Sequence, residues 1–144
     1  MSSVLVTGSS RGIGKSIALR LAKDGFDVVV HCKNAVDEAT QVVQEIKAMG
    51  KTSRFLQFDI ADREECRSKI NQDIEAFGAY YGIVCNAGIT RDNAFPSLSD
   101  DDWDSVIRTN LDGFYNVVQP ATMPMVSARK GGRIVALSSV SGLM

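Results

Sequence analysis

The chain has 144 residues, 44% of them apolar and 23% charged, and a formal net charge of −1. That mixture suits one folded domain, and it excludes the global basic field of a nucleic-acid binder. No apolar run approaches the roughly 20 residues of a membrane helix, and Met1-Ser2-Ser3 leads into the first apolar run with no basic segment, so neither a membrane span nor a signal peptide is expected and the cytoplasm is.

Val4-Leu5-Val6 is strand-like and ends at Thr7-Gly8. Ile13, Ile17, Leu21 and Ala22 then recur at helical spacing, and Gly25 follows as a C′ residue. Val28-Val29-Val30 is the second strand. Ala39, Val42, Val43 and Ile46 stripe a second helix closed by Gly50. Phe55 to Phe58 is the third strand. Asp62, with Glu65 three residues on, resembles a capping box for a helix whose face is Cys66, Ile70, Ile74 and Phe77, ended by Gly78. Ile83-Val84-Cys85 is the fourth strand.

Ser99 before Asp100, Asp101 and Asp102 suits the N-terminus of a long helix. Its predicted core face is Trp103, Val106, Ile107, Leu111, Phe114 and Val118, and Pro120 and Pro124 should bend or break it. Gly131-Gly132 turns the chain into a fifth strand, Ile134 to Leu137. Continuously apolar strands imply burial on both faces, hence an α/β fold with a parallel sheet between helices. Cys32, Cys66 and Cys85 are widely spaced, and with the lone His31 they make a poor zinc set. They read as small hydrophobes in a reducing compartment, and no metal is expected.

The turn Thr7-Gly8-Ser9-Ser10-Arg11-Gly12-Ile13-Gly14 joins the first strand to the first helix. A diphosphate needs backbone N–H donors at a helix N-terminus and no Cβ in its way. Gly8 allows the sharp turn, Gly12 the approach of backbone to ligand, and Gly14 the close packing of helix on sheet. A glycine loop that serves only the turn is the competing reading; the placement between strand and helix favours the phosphate site. Folds that prefer NAD carry an acid near the end of the second strand for the ribose 2′-OH. Here that strand ends His31-Cys32-Lys33-Asn34, without a carboxylate. Arg11 and Lys33 supply positive charge, which favours the 2′-phosphate of NADPH/NADP+; two solvated surface cations are the alternative.

Taken in order, these features resemble the short-chain dehydrogenase/reductase family. The pattern Thr-Gly-x3-Gly-x-Gly, Asn86-Ala87-Gly88 after the fourth strand, Asp59-Ile60 after the third, Asn110 in Asn110-Leu111-Asp112-Gly113, and Leu137-Ser138-Ser139-Val140-Ser141-Gly142 carry the resemblance across the chain. Ser10-Arg11-Gly12-Ile13-Gly14, Asn86 to Asp92 and Gly132 to Val135 look most like 3-oxoacyl-[acyl-carrier-protein] reductases. The resemblance implies a Rossmann-like doubly wound sheet of strand order 3-2-1-4-5, with residues 1–144 as the dinucleotide-binding domain.

The resemblance also implies roles. Ser10, Arg11, Ile13, Ile60, Asn86, Ala87 and the motif glycines Gly8, Gly12, Gly14 and Gly88 would line the cofactor. Asp59 would hold the adenine amino group, and Ser139, favoured over Ser138 by register, would bind the substrate carbonyl. Asn110 would hold a water at a helix kink beside the active site. By its own pattern, Asn110 falls on the apolar stripe between Ile107 and Phe114, where an unpartnered amide costs on the order of 1–3 kcal/mol; a structural Asn at a helix irregularity is the alternative. The family's general acid and its lysine form Tyr-x3-Lys beyond the serine, whereas this sequence ends at Met144. Tyr80, Tyr81 and Tyr115 have Val84, Cys85 and Gln119 four residues later. The expectation is a chain cut off after the serine strand, lacking the later strands and helices and inactive alone, from an enzyme that is a dimer or tetramer when complete. Its substrate would be a ketone on acyl carrier protein, which Arg129 and Lys130 could meet, or alternatively a free sugar, alcohol or other small ketone. A non-catalytic nucleotide-binding module is the third reading.

Overall fold

A computed structural model describes residues 2–88 and 95–137. The alternation of β-branched runs with amphipathic stripes becomes β1 (Ser3–Val6), α1 (Gly12–Lys23), β2 (Asp27–Cys32), α2 (Val36–Ala48), β3 (Ser53–Gln57), α3 (Arg63–Phe77) and β4 (Gly82–Cys85). After a 3-10 turn, Phe95–Ser97, come α4 (Asp100–Val106), a π-helical turn (Ile107–Asp112), α5 (Gly113–Ala128) and β5 (Arg133–Ala136). All strands run parallel in the order β3-β2-β1-β4-β5.

Successive strand side chains point to opposite faces, so the β1 and β2 runs feed two cores. Val4, Val6, Val28 and Val30 pack with Ala18, Ala22, Val42 and Ile46 on one side. Leu5, Val29 and Ile83 pack with Phe58, Ile70 and Val117 on the other. The central strands are therefore apolar without interruption, as a doubly covered parallel sheet requires. The caps follow the sequence: the Asp62 side chain accepts from Glu65 N–H at 3.1 Å, and Ser99 from Asp102 N–H at 3.0 Å. Gly25, Gly50 and Gly78, which follow α1, α2 and α3, all have positive φ.

Four expectations are corrected. The prolines do not break the last helix: α5 runs through Pro120 and Pro124, held on the sheet by buried Val117, Ala121 and Met125. Its sheet-facing stripe is not the predicted one. Gly113, Asn116, Val117, Ala121 and Met125 face inward, while Trp103, Leu111 and Phe114 are exposed. Small residues let this helix approach closely, and the π turn shifts the helical phase between its two halves. Ile13 is 70% exposed, and Gly14, Ala18 and Ala22 take the buried face of α1. Phe77 is exposed as well, its ring lying 3.9 Å beneath the Arg54 guanidinium.

Arg54 also anchors a buried polar knot at the far end of α3. Its Nε and Nη2 donate to the two Asp73 carboxylate oxygens at 2.6 and 2.7 Å. The Tyr80 hydroxyl donates to the same carboxylate at 2.7 Å. Burial, and then the Asp73 charge, push the Tyr80 phenol well above its usual range.

Candidate cofactor-binding site

The strand order reverses between β1 and β4, where connections leave toward opposite faces and open a crevice at the carboxyl ends of the strands. The segments after β1 and β4 meet there. Thr7 Oγ1 accepts from both Asn86 N–H and Ala87 N–H at 3.0 Å. The Asn86 side-chain amide donates to the Gly8 carbonyl at 3.1 Å. The Asn-Ala-Gly segment is thus tied to the glycine turn by three hydrogen bonds, a link that neither motif reveals alone.

The glycines divide their work. Gly8 has φ +64, and a Cβ there would press on Ala87. A Cβ on Gly14 would strike the Gly8 carbonyl and come within 2.5 Å of the Asn86 amide nitrogen. Gly12 has φ +61 and open space on its Cβ side. The N-cap residue Arg11 makes no side-chain capping bond among the described residues, and no acid lies in the first turn of α1. Its first N–H groups therefore remain available to an outside acceptor. A dinucleotide diphosphate fits this cradle: donors at a helix end, no Cβ in the approach, and no competing carboxylate.

A cleft of about 520 Å³ runs from this turn along the end of β2, with Ser10, Arg11, His31, Lys33 and Ala87 on its walls. Arg11 is exposed and its side chain has no partner among the described residues. Lys33 Nζ lies 3.5 Å from Asp59 Oδ2, so the two groups expected at the adenosine end of a cofactor are held together. The other Asp59 oxygen accepts from Ala61 N–H at 2.9 Å. Asp59, Ile60, Gly88 and Arg108, which the sequence did not single out, line an adjoining hollow.

Asn110 sits in the π turn rather than on a core stripe. A Cβ on Gly88 would lie 2.9 Å from its Oδ1. It helps line a cleft of about 630 Å³ with Thr7, Ile13, Asn86 and Phe114. The exposure of Ile13, unexplained by the core, places it at this wall. The π turn is held from behind. Asn116 donates its amide to the Ile60 carbonyl at 2.8 Å and accepts from Arg63 Nε at 2.9 Å, while Gly113 packs directly on Ile60. Ser138, Ser139 and the stretch Ile89 to Asp92 lie outside the described residues.

Sequence reasoning missed His31 at the floor of the cleft. Gly8 N–H donates to His31 Nδ1 at 2.9 Å, and Nε2 lies 2.8 Å from the Phe58 carbonyl. Nδ1 accepts, so the proton is on Nε2 and the ring is neutral. Burial pushes its pKa down to about 4, against smaller opposing effects of the Phe58 carbonyl and the Asp59 charge. Ser9 fastens the same strand end: its Oγ accepts from His31 N–H and donates to the Val6 carbonyl. The Cys85 thiol in the neighbouring cleft is pushed up to about 11 by burial, and Cys66 to about 12, so neither is a ready nucleophile.

Comparison with known proteins agrees with this architecture. Residues 2–144 match the short chain dehydrogenase family. The chain is 61% identical over 141 residues to the 3-oxoacyl-[acyl-carrier-protein] reductase FabG of Aggregatibacter actinomycetemcomitans, covering 98% of this chain and 58% of that protein. It is 46% identical to the corresponding reductase of Staphylococcus aureus strain Mu50, covering 97% and 56%. The chain thus spans somewhat over half the length of these curated relatives. A short chain dehydrogenase from Burkholderia cenocepacia J2315, solved with NADP, superposes with a TM-score of 0.88 at 37% identity, over 96% of this chain and 56% of that one. Carveol dehydrogenase from Mycobacterium avium, solved with NAD, gives 0.91 at 26% identity, over 99% and 56%. Sheet order, glycine turn and sequence likeness converge on one assignment: the chain belongs to the short chain dehydrogenase family.

Proposed function

We propose that residues 1–144 form the dinucleotide-binding domain for NADP(H), in a protein that reduces a 3-oxoacyl thioester on acyl carrier protein to the 3-hydroxyacyl form. The observation that carries the cofactor half is the cleft between the uncapped α1 N-terminus and the end of β2. It presents Lys33 near the strand end where an NAD-preferring fold carries an acid, and Arg11 from the glycine turn beside it. A 2′-phosphate bears close to two negative charges, and charge-assisted bonds to it are among the stronger polar contacts. The substrate half rests on the 61% and 46% identity to 3-oxoacyl reductases.

In this reading Gly12, Ile13 and Gly14 N–H groups bind the diphosphate, and Asp59 and Ile60 meet the adenine. Lys33 exchanges its Asp59 partner for the phosphate. Asn86-Ala87-Gly88 shapes the floor toward the nicotinamide. Bound NADPH supplies a hydride for the ketone carbon. Ser139 donates a hydrogen bond to the carbonyl oxygen as charge develops there, and Asn110 holds a water that passes protons toward the site. Arg129 and Lys130, exposed at the end of α5, offer a basic contact for an acidic carrier.

The test is titration of NADPH and NADH against the full-length protein and its Arg11→Ala variant, followed by assay with a 3-oxoacyl thioester. NADPH should bind more tightly, and Arg11→Ala should narrow the gap by roughly 1.5–3 kcal/mol. Ser139→Ala should lower kcat by about 10²–10³, and Ser138→Ala far less. Equal wild-type affinities would end the cofactor assignment, and activity only on free ketones would end the substrate assignment.

A further inference from the structure

We infer that His31 is a positioning residue for the cofactor: its imidazole bridges the Gly8 N–H of the phosphate turn and the Phe58 carbonyl beside the adenine-side Asp59, locking two walls of the cleft at one spacing. The inference rests on the cofactor reading above.

The glycine turn needs such a brace. Gly8 has positive φ and no side chain, so nothing of its own fixes its plane. Its carbonyl is held by Asn86 and its N–H by His31. The imidazole packs against the Phe58 ring, centroids 4.3 Å apart and planes tilted by 44°, so a neighbour lies against one side of it. One buried ring therefore connects the β1 turn, the end of β2 and the end of β3, across sequence separations of 23 and 27 residues. The diphosphate and adenine of one ligand sit on opposite sides of that bridge, so a change in its length is felt as a mismatch between the two ends of the ligand. An effect on orientation of this kind acts on cofactor affinity before it acts on chemistry.

The bridge works in one protonation state. A doubly protonated ring would turn an N–H toward the Gly8 N–H and lose the acceptor. The charged and titratable groups around the ring are Asp59 just after β3, Cys32 at the end of β2, Lys33 just after it, Arg11 from the turn and Arg108 from the π turn, which line the hollows it borders. Of these, Asp59 favours the charged ring, and burial opposes it more strongly.

Two measurements on the full-length protein decide the matter. The first is the Kd of NADP+ at pH 7.5 for the wild type, His31→Leu and His31→Gln. Leucine keeps bulk without polar atoms; the glutamine amide can both donate and accept. His31→Leu should weaken binding about tenfold or more, with kcat at saturating cofactor within about threefold. His31→Gln should recover most of the affinity. A folded His31→Leu variant that binds NADP+ like the wild type overturns the inference, as does a loss confined to kcat. The second follows the Gly8 amide resonance of the wild-type protein as pH is lowered. Its midpoint should report His31 near 4 and should fall by about one unit when NADP+ is bound, because a ligand that needs the neutral ring must lower its pKa. An unchanged midpoint overturns the inference even if His31→Leu does not fold. Failure of the wild type to bind NADP+ at pH 7.5 would instead overturn the cofactor assignment itself.

Discussion

β2 and β5 are built from the same kind of residue and meet opposite fates. Val28-Val29-Val30 is fully buried between α1, α2 and the second core. Among the described residues Ile134-Val135-Ala136 pairs with β4 on one side, and every residue of β5 is exposed. The same contrast extends to the helices: α2 hides its whole apolar stripe, whereas the α4–α5 unit shows Trp103, Leu111, Phe114 and Met123 to solvent. An apolar strand is thus not a core strand by composition; its neighbours decide. The candidate cofactor site leans on the packed half, where α1, β1, β2 and β3 fix the glycine turn, and reaches toward the exposed half through Asn86-Ala87-Gly88, Arg108, Asn110 and Phe114.

If the packed half is a rigid frame, the largest effects should come from its polar ties. Asp73→Ala leaves the half-buried Arg54 guanidinium and the buried Tyr80 hydroxyl without their shared acceptor. Breaking such a pair costs roughly 3–5 kcal/mol, to be read from urea unfolding, and NADP+ affinity of the protein that still folds should be unchanged. Loss of affinity at unchanged stability would mean that this knot belongs to the site.

Acid should find the same frame through His31. Its pKa is about 4 folded against an ordinary 6.5, so between these values the unfolded chain holds more protons. Stability is then full above pH 6.5 and declines as pH falls toward 4, by about 3 kcal/mol from this group. Unfolding free energies across that window should show the slope for wild type and a shallower one for His31→Gln.

The tie between the two halves is weaker. Thr7→Val removes the oxygen that accepts from Asn86 and Ala87 N–H, at roughly 1–3 kcal/mol, measurable by the same unfolding. The smallest effect contrasts the two strands themselves. Val29→Ala should cost about 2 kcal/mol by lost burial and a residual cavity, and Val135→Ala in this chain less than about 0.5. Equal costs would mean that β5 is covered in solution.

Much of this was legible in the sequence because it is local. The parallel sheet follows from continuous apolar strands, the Asp62 and Ser99 caps from their spacing, and the tight turn between β1 and α1 from its glycines. What stayed hidden is long-range or compensated. His31 looked like a stray histidine because its partners Gly8 and Phe58 are distant in sequence. The sheet face of α5 escaped because Gly113, Asn116 and Ala121 are not an apolar signal. Asn110 reads by pattern as part of an apolar stripe, with a helix irregularity as the alternative, and the π turn that carries it toward Gly88 has no signature in the spacing of its neighbours.

The central claim is that a dinucleotide lies across the carboxyl ends of β1, β2 and β4, and hydrogen–deuterium exchange of the full-length protein with and without NADP+ tests it directly. Binding should protect amides in residues 8–14, 59–61 and 86–88, and leave residues 78–81, at the opposite end of the sheet, unchanged. Protection centred on residues 78–81, or none in residues 8–14 at saturating NADP+, would contradict it.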